Sequence, residues 1–128
     1  MITLCMRTDK PLAELYVYRD DHCIAKGSWE AHRSLAETLH VKIEQVLKQS
    51  GVTIHDVNKI VIFKGPGSFT GLRIGMSVAN AFGYALQIPV VATEGEQWLA
   101  GVSLETPHNF VPQMPHYGAD PHITQQKK

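Results

Sequence analysis

Residues 59–75 read Lys-Ile-Val-Ile-Phe-Lys-Gly-Pro-Gly-Ser-Phe-Thr-Gly-Leu-Arg-Ile-Gly. The apolar run 59–63 suits a strand buried on both faces. Gly65 and Gly67 allow backbone angles that other residues avoid, and Pro66 stiffens the turn between them. Ser68 or Thr70 can then cap a helix that runs from about Thr70 to Leu86. Free amides at such a helix start can hold an anion. The Gly-Lys-Ser/Thr ending of a P-loop and the glycine pattern of a dinucleotide site are both absent. On spacing alone the stretch is a strand, a tight turn and a helix, with a phosphate cradle as the competing reading.

Along the helix, Gly71, Gly75, Ala79 and Gly83 recur every fourth residue and fall on one stripe. Glycine inside a helix costs about 1 kcal/mol relative to alanine. Close approach of another element offsets that cost. Two occupants fit: the chain's own sheet, or a helix of another chain. Leu72, Met76, Phe82 and Leu86 flank the stripe.

Outward from this core the chain keeps alternating. Residues 2–8, 12–19 and 22–29 are β-favouring runs broken at Lys10-Pro11 and Asp20-Asp21, as in an antiparallel meander. Leu35, Ala36, Leu39, Ile43, Val46 and Leu47 mark an amphipathic helix over 31–50, with Gly51 at its left-handed end. Pro89-Val90-Val91-Ala92 is a fifth strand, and a short helix is expected over 94–101. Prolines at 107, 112, 115 and 121 make residues 102–128 an extended tail after a single lobe at 1–101. Three strands followed by right-handed crossovers give a mixed five-stranded sheet of order 3-2-1-4-5 with covering helices. That is the ribonuclease H-like lobe of the actin-like ATPases, an α/β fold.

Composition narrows function. The 128 residues carry a formal net charge of zero, which argues against a stand-alone nucleic-acid binder. Cys5 and Cys23 both read as buried, reduced thiols, and a disulfide requires their strands to be neighbours. No leader or membrane span is read, so a cytoplasmic protein is expected. Histidines at 22, 32, 40, 55, 108, 116 and 122 include no pair four apart, so no helical metal site is expected. Ser68 lacks an evident base, and Glu94 and Glu96 read as acids at a helix start. No catalytic residue and no cofactor are assigned.

Gly-Pro-Gly-Ser-Phe-Thr-Gly-Leu-Arg-Ile-Gly at 65–75 resembles the hallmark of the TsaB (YeaZ) family. The likeness runs back through Gly51-Val-Thr-Ile-His-Asp-Val and His32, and on through Ala79-Asn-Ala-Phe-Gly-Tyr-Ala-Leu and Ile88-Pro-Val-Val, over about residues 1–101. The resemblance implies an actin-like lobe degenerate as an enzyme. It implies a catalytic partner, TsaD, a small ATPase, TsaE, and modification of the adenosine next to the anticodon of tRNA, which is reached through the complex. It also implies an interface on the first two helices, expected at Leu35, Leu39, Ile43, Gly71, Leu72, Gly75, Met76, Ala79 and Gly83. The loop Gly65, Pro66, Gly67, Ser68, Phe69 and Thr70, with Arg73, is the family motif.

Two departures stand out. The family opens with an Ile-Asp-Thr-like turn after strand one, where this chain has Met6-Arg7-Thr8. A guanidinium cannot take the metal-holding role of that acid, and a salt-bridged or surface arginine is the expected state. Typical members also continue into a second lobe where residues 102–128 stand, so a one-lobe form is read. The leading function is a scaffold subunit for TsaD. The alternatives are a small ATPase-like nucleotide binder using 65–71, and a homodimer formed through the same helices.

Overall fold

The computed structural model describes residues 1–103 and 111–113. Strands β1 (Ile2–Arg7), β2 (Leu12–Arg19) and β3 (His22–Glu30) form the meander. Helix α1 (Leu35–Gln49), strand β4 (Val57–Gly65), helix α2 (Phe69–Leu86) and strand β5 (Val90–Glu94) follow, with a 3₁₀ turn over Trp98–Ser103. The sheet order is β3-β2-β1-β4-β5, as the sequence predicts. β1 runs antiparallel to β2 (Ile2↔Arg19, Arg7↔Glu14) and parallel to β4 (Leu4↔Ile60, Met6↔Ile62).

Both faces of the sheet are used, because strand residues alternate sides. Leu4, Met6, Leu15, Val17, Ile60 and Ile62 lie under α1 and α2. On the other face, Cys5, Val61 and Phe63 meet Trp98. The Trp98 ring stands edge-on to Tyr16 at 5.8 Å and to Phe63 at 6.1 Å. The buried Lys59 ammonium donates to the carbonyls of Gly101 at 3.1 Å and Val102 at 2.6 Å, tying the 3₁₀ turn to β4. On the meander side, Trp29 Nε1 donates to Thr38 Oγ1 at 3.0 Å and pins α1 to β3.

Several expectations change. The short helix expected over 94–101 starts later and is 3₁₀, spanning Trp98–Ser103. Glu94 ends β5, and the chain turns through Gly95 at φ +77° into the 3₁₀ turn. Glu94 and Glu96 therefore do not sit at a helix start. Cys23 is exposed rather than buried. β2 separates the strands of Cys5 and Cys23, which puts the thiols beyond disulfide reach, and both are free. Gly51 does hold the left-handed position after α1, at φ +76°. Of the expected tail at 102–128, only 102–103 and 111–113 lie within the described residues. No helix among the described residues is long and apolar enough to cross a membrane.

Candidate functional site

The motif loop lies at the C-terminal end of β4, beside the turn that joins β1 to β2. Gly65 is buried at φ +121°, a conformation that favours glycine. At Gly67 a side chain would come within 2.6 Å of the Asp9 Cβ, so the loop backbone packs directly on the Asp9 side chain of the β1–β2 turn. Ser68 takes the N-cap position of α2, but its hydroxyl makes no capping bond; its carbonyl accepts the Leu72 amide at 3.0 Å. Phe69 and Thr70 are exposed, and the Arg73 guanidinium lies 5.3 Å from the Phe69 ring centre.

Thr8 fills the small-residue stripe. Its hydroxyl donates to the Gly71 carbonyl at 2.8 Å. A Cβ at position 71 would collide with the Thr8 carbonyl, and one at 75 with the Thr8 side chain. Ala79 is fully buried in the core and Gly83 is also buried. The stripe thus receives the chain's own first turn and sheet, the first of the two occupants its spacing allowed.

The residues expected at the interface lie mostly inward in this chain. Leu35, Leu39 and Ile43 are buried on the inner face of α1, and Leu72, Gly75, Met76, Ala79 and Gly83 on the inner face of α2. Gly71 is occupied by Thr8. Ile74, Val78 and Phe82, spaced by four, make a second stripe that is only partly buried. Between this stripe and α1 runs a groove of about 430 Å³, lined by Ala36, Thr70, Arg73, Ile74, Ser77 and Val78. Further along, a hollow of about 620 Å³ between the end of α1 and Phe82 is bordered by His40, Val52 and Ile54. The glycine spacing drew attention away from this neighbouring stripe, although the same period announces both.

Arg7 is salt-bridged. Its Nε lies 2.8 Å from Asp9 Oδ1, and its guanidinium stacks 3.9 Å from the Phe63 ring centre. The cation is already engaged by a carboxylate and a ring face, at the position where the family motif has an acid. Among the described residues, no three of His, Cys, Asp and Glu gather to hold a metal.

Comparison with known proteins places this geometry. The family model for TsaD, tRNA N6-adenosine threonylcarbamoyltransferase, matches residues 29–115. The chain is 29% identical over 100 residues to the tRNA threonylcarbamoyladenosine biosynthesis protein TsaB of Bacillus subtilis, covering 78% of this chain and 44% of that protein. Against TsaB of Escherichia coli it is 31% identical over 70 residues, 51% of this chain and 30% of the relative. Among solved structures, YeaZ from Pseudomonas aeruginosa superposes with a TM-score of 0.68 at 27% identity, over 73% of this chain and 43% of that one. The chain spans less than half the length of these relatives. The motif at 65–75, the 3-2-1-4-5 sheet and these matches together show that the chain belongs to the threonylcarbamoyltransferase-related family, in its TsaB (YeaZ) branch.

Proposed function

We propose that the protein is a non-catalytic subunit in the biosynthesis of threonylcarbamoyladenosine in tRNA. It docks a TsaD-like catalytic subunit on the outer faces of α1 and α2, and through that subunit comes to a TsaE-like ATPase and to tRNA. The observation that carries the docking surface is the half-buried stripe Ile74, Val78 and Phe82 beside the groove at Ala36 and Ser77. Apolar side chains grouped along a groove between two helices suit an incoming helix. The absence of catalysis is supported by Arg7, whose charge is paired with Asp9 where the family motif carries an acid. The setting is the cytoplasm, where tRNA is modified.

Ser77→Arg and Ile74→Asp test the surface, since both side chains line the groove. Each is expected to weaken binding to the TsaD-like subunit at least roughly tenfold in a titration, with the helical circular dichroism unchanged. If both variants fold and bind as the parent does, the outer faces are not the docking surface. Sedimentation of the chain alone shows whether a second copy covers the same groove in the partner's absence. Calorimetry with ATP and magnesium separates this reading from the nucleotide-binding alternative, which requires saturable heat that is lost on changing Ser68 and Thr70.

A further inference from the structure

Asn80 lies on α2 seven residues beyond Arg73, which at about 100° per residue places it on the flank that continues past Arg73 and Ser77, beside the groove. Its side chain makes two hydrogen bonds to a single distant residue. Asn80 Nδ2 donates to the Gln113 carbonyl at 2.9 Å, and the Gln113 amide N–H donates to Asn80 Oδ1 at 2.9 Å. A carboxamide that gives one bond and takes one from the same residue reads main chain, much as a neighbouring strand would.

The sequence of the bound segment suits this. Pro112 has no N–H and favours an extended residue before it, so the donor offered to α2 is that of Gln113. The Gln113 side chain is turned away, donating through Nε2 to the Val111 carbonyl at 3.1 Å. Neither Asn80 bond depends on what side chain stands at 113.

We propose that this flank of α2 is a main-chain docking site whose occupant is the chain's own segment 111–113, held in cis as a strap by Asn80. It reads the backbone of residue 113 and tolerates changes in its side chain.

Amide exchange at residue 113 of the full chain, followed by NMR, tests this. Its N–H is held by one hydrogen bond, to Asn80 Oδ1, so Asn80→Ala is expected to speed its exchange at least roughly tenfold. Asn80→Asp keeps the acceptor for the N–H but sets a carboxylate against the Gln113 carbonyl, and is expected to fall between the two. Gln113→Ala is expected to stay within about threefold of the parent. The proposal is overturned if Asn80→Ala leaves the exchange unchanged, or if Gln113→Ala matches Asn80→Ala. Should Asn80→Ala loosen α2 as a whole, Asn80→Asp decides, since it preserves the side chain's shape; parent-like exchange there sinks the strap. Protection that rises with chain concentration means that the segment is exchanged between copies, which also overturns the cis reading.

Discussion

Thr8 touches α2 twice, through a hydroxyl bond to the Gly71 carbonyl and through the space left at Gly75. The two glycines therefore face different obstacles. At 71 the obstacle is the Thr8 backbone carbonyl, which cannot move without shifting β1. At 75 it is a side chain that can be removed. Alanine gains about 1 kcal/mol of helix propensity at either site, so overpacking must exceed that to show. Gly71→Ala is expected to lower stability by about 2 kcal/mol in urea denaturation, and Thr8→Ala should not rescue it. Gly75→Ala should be partly rescued by Thr8→Ala. Equal rescue at both sites would contradict this placement of Thr8. A period of four in the sequence identifies a smooth stripe but not its occupant, because Thr8 lies far away in the chain and carries no mark of its contact.

At the level of elements, strand order and both main helices were legible, since apolar period and turn chemistry agree throughout 1–92. The element whose bounds moved was the short helix at 94–101, which is 3₁₀ over Trp98–Ser103. Its acids suggested a helix start, but pairing of β5 with β4 as far as Gly65↔Glu94 takes Glu94 into the sheet. The groove beside α1 is hard to read from sequence for a related reason: Ile74, Val78 and Phe82 are as periodic as the glycines, and only their position relative to the sheet tells inner from outer. The end of α2 at Leu86 is where the sequence predicts it, but its left-handed cap carries no glycine signal. Gln87 takes the left-handed conformation, at φ 54°, where glycine is usual. Gln87→Gly relieves that strain at the cost of one exposed side-chain bond to the Tyr84 carbonyl. It is expected to raise stability by about 0.5–1 kcal/mol, read from the denaturation midpoint; a loss would mean that the Tyr84 bond outweighs the strain.

For the whole molecule, the sheet separates two unequal layers, helices on one face and the Trp98 turn on the other. Cys5 sits in the second layer, where burial pushes its thiol far above the ordinary 9.0. The folded state keeps that proton while the unfolded chain gives it up, so this contribution is intact below pH 9 and is lost as pH rises beyond it. Lys59, pushed down by burial, acts in the opposite sense as pH nears the ordinary lysine value of 10.5. Comparing the parent with Cys5→Ala isolates the thiol. Between pH 9 and 10.5 the parent is expected to lose stability relative to the variant by about 1.4 kcal/mol per pH unit. Parallel curves would mean that Cys5 ionises in the fold. The strand order also has a temporal side. β1 precedes β2 and β4 in the chain and can pair with β2 as soon as both are made, yet its other edge must wait for β4, where Leu4 meets Ile60. Until α2 has followed, Leu4 and Met6 have no roof and β1 keeps one open edge. The nascent chain therefore passes through an interval in which its meander is formed but sticky, and closing that interval depends on a parallel pairing that loop-closure entropy makes slow.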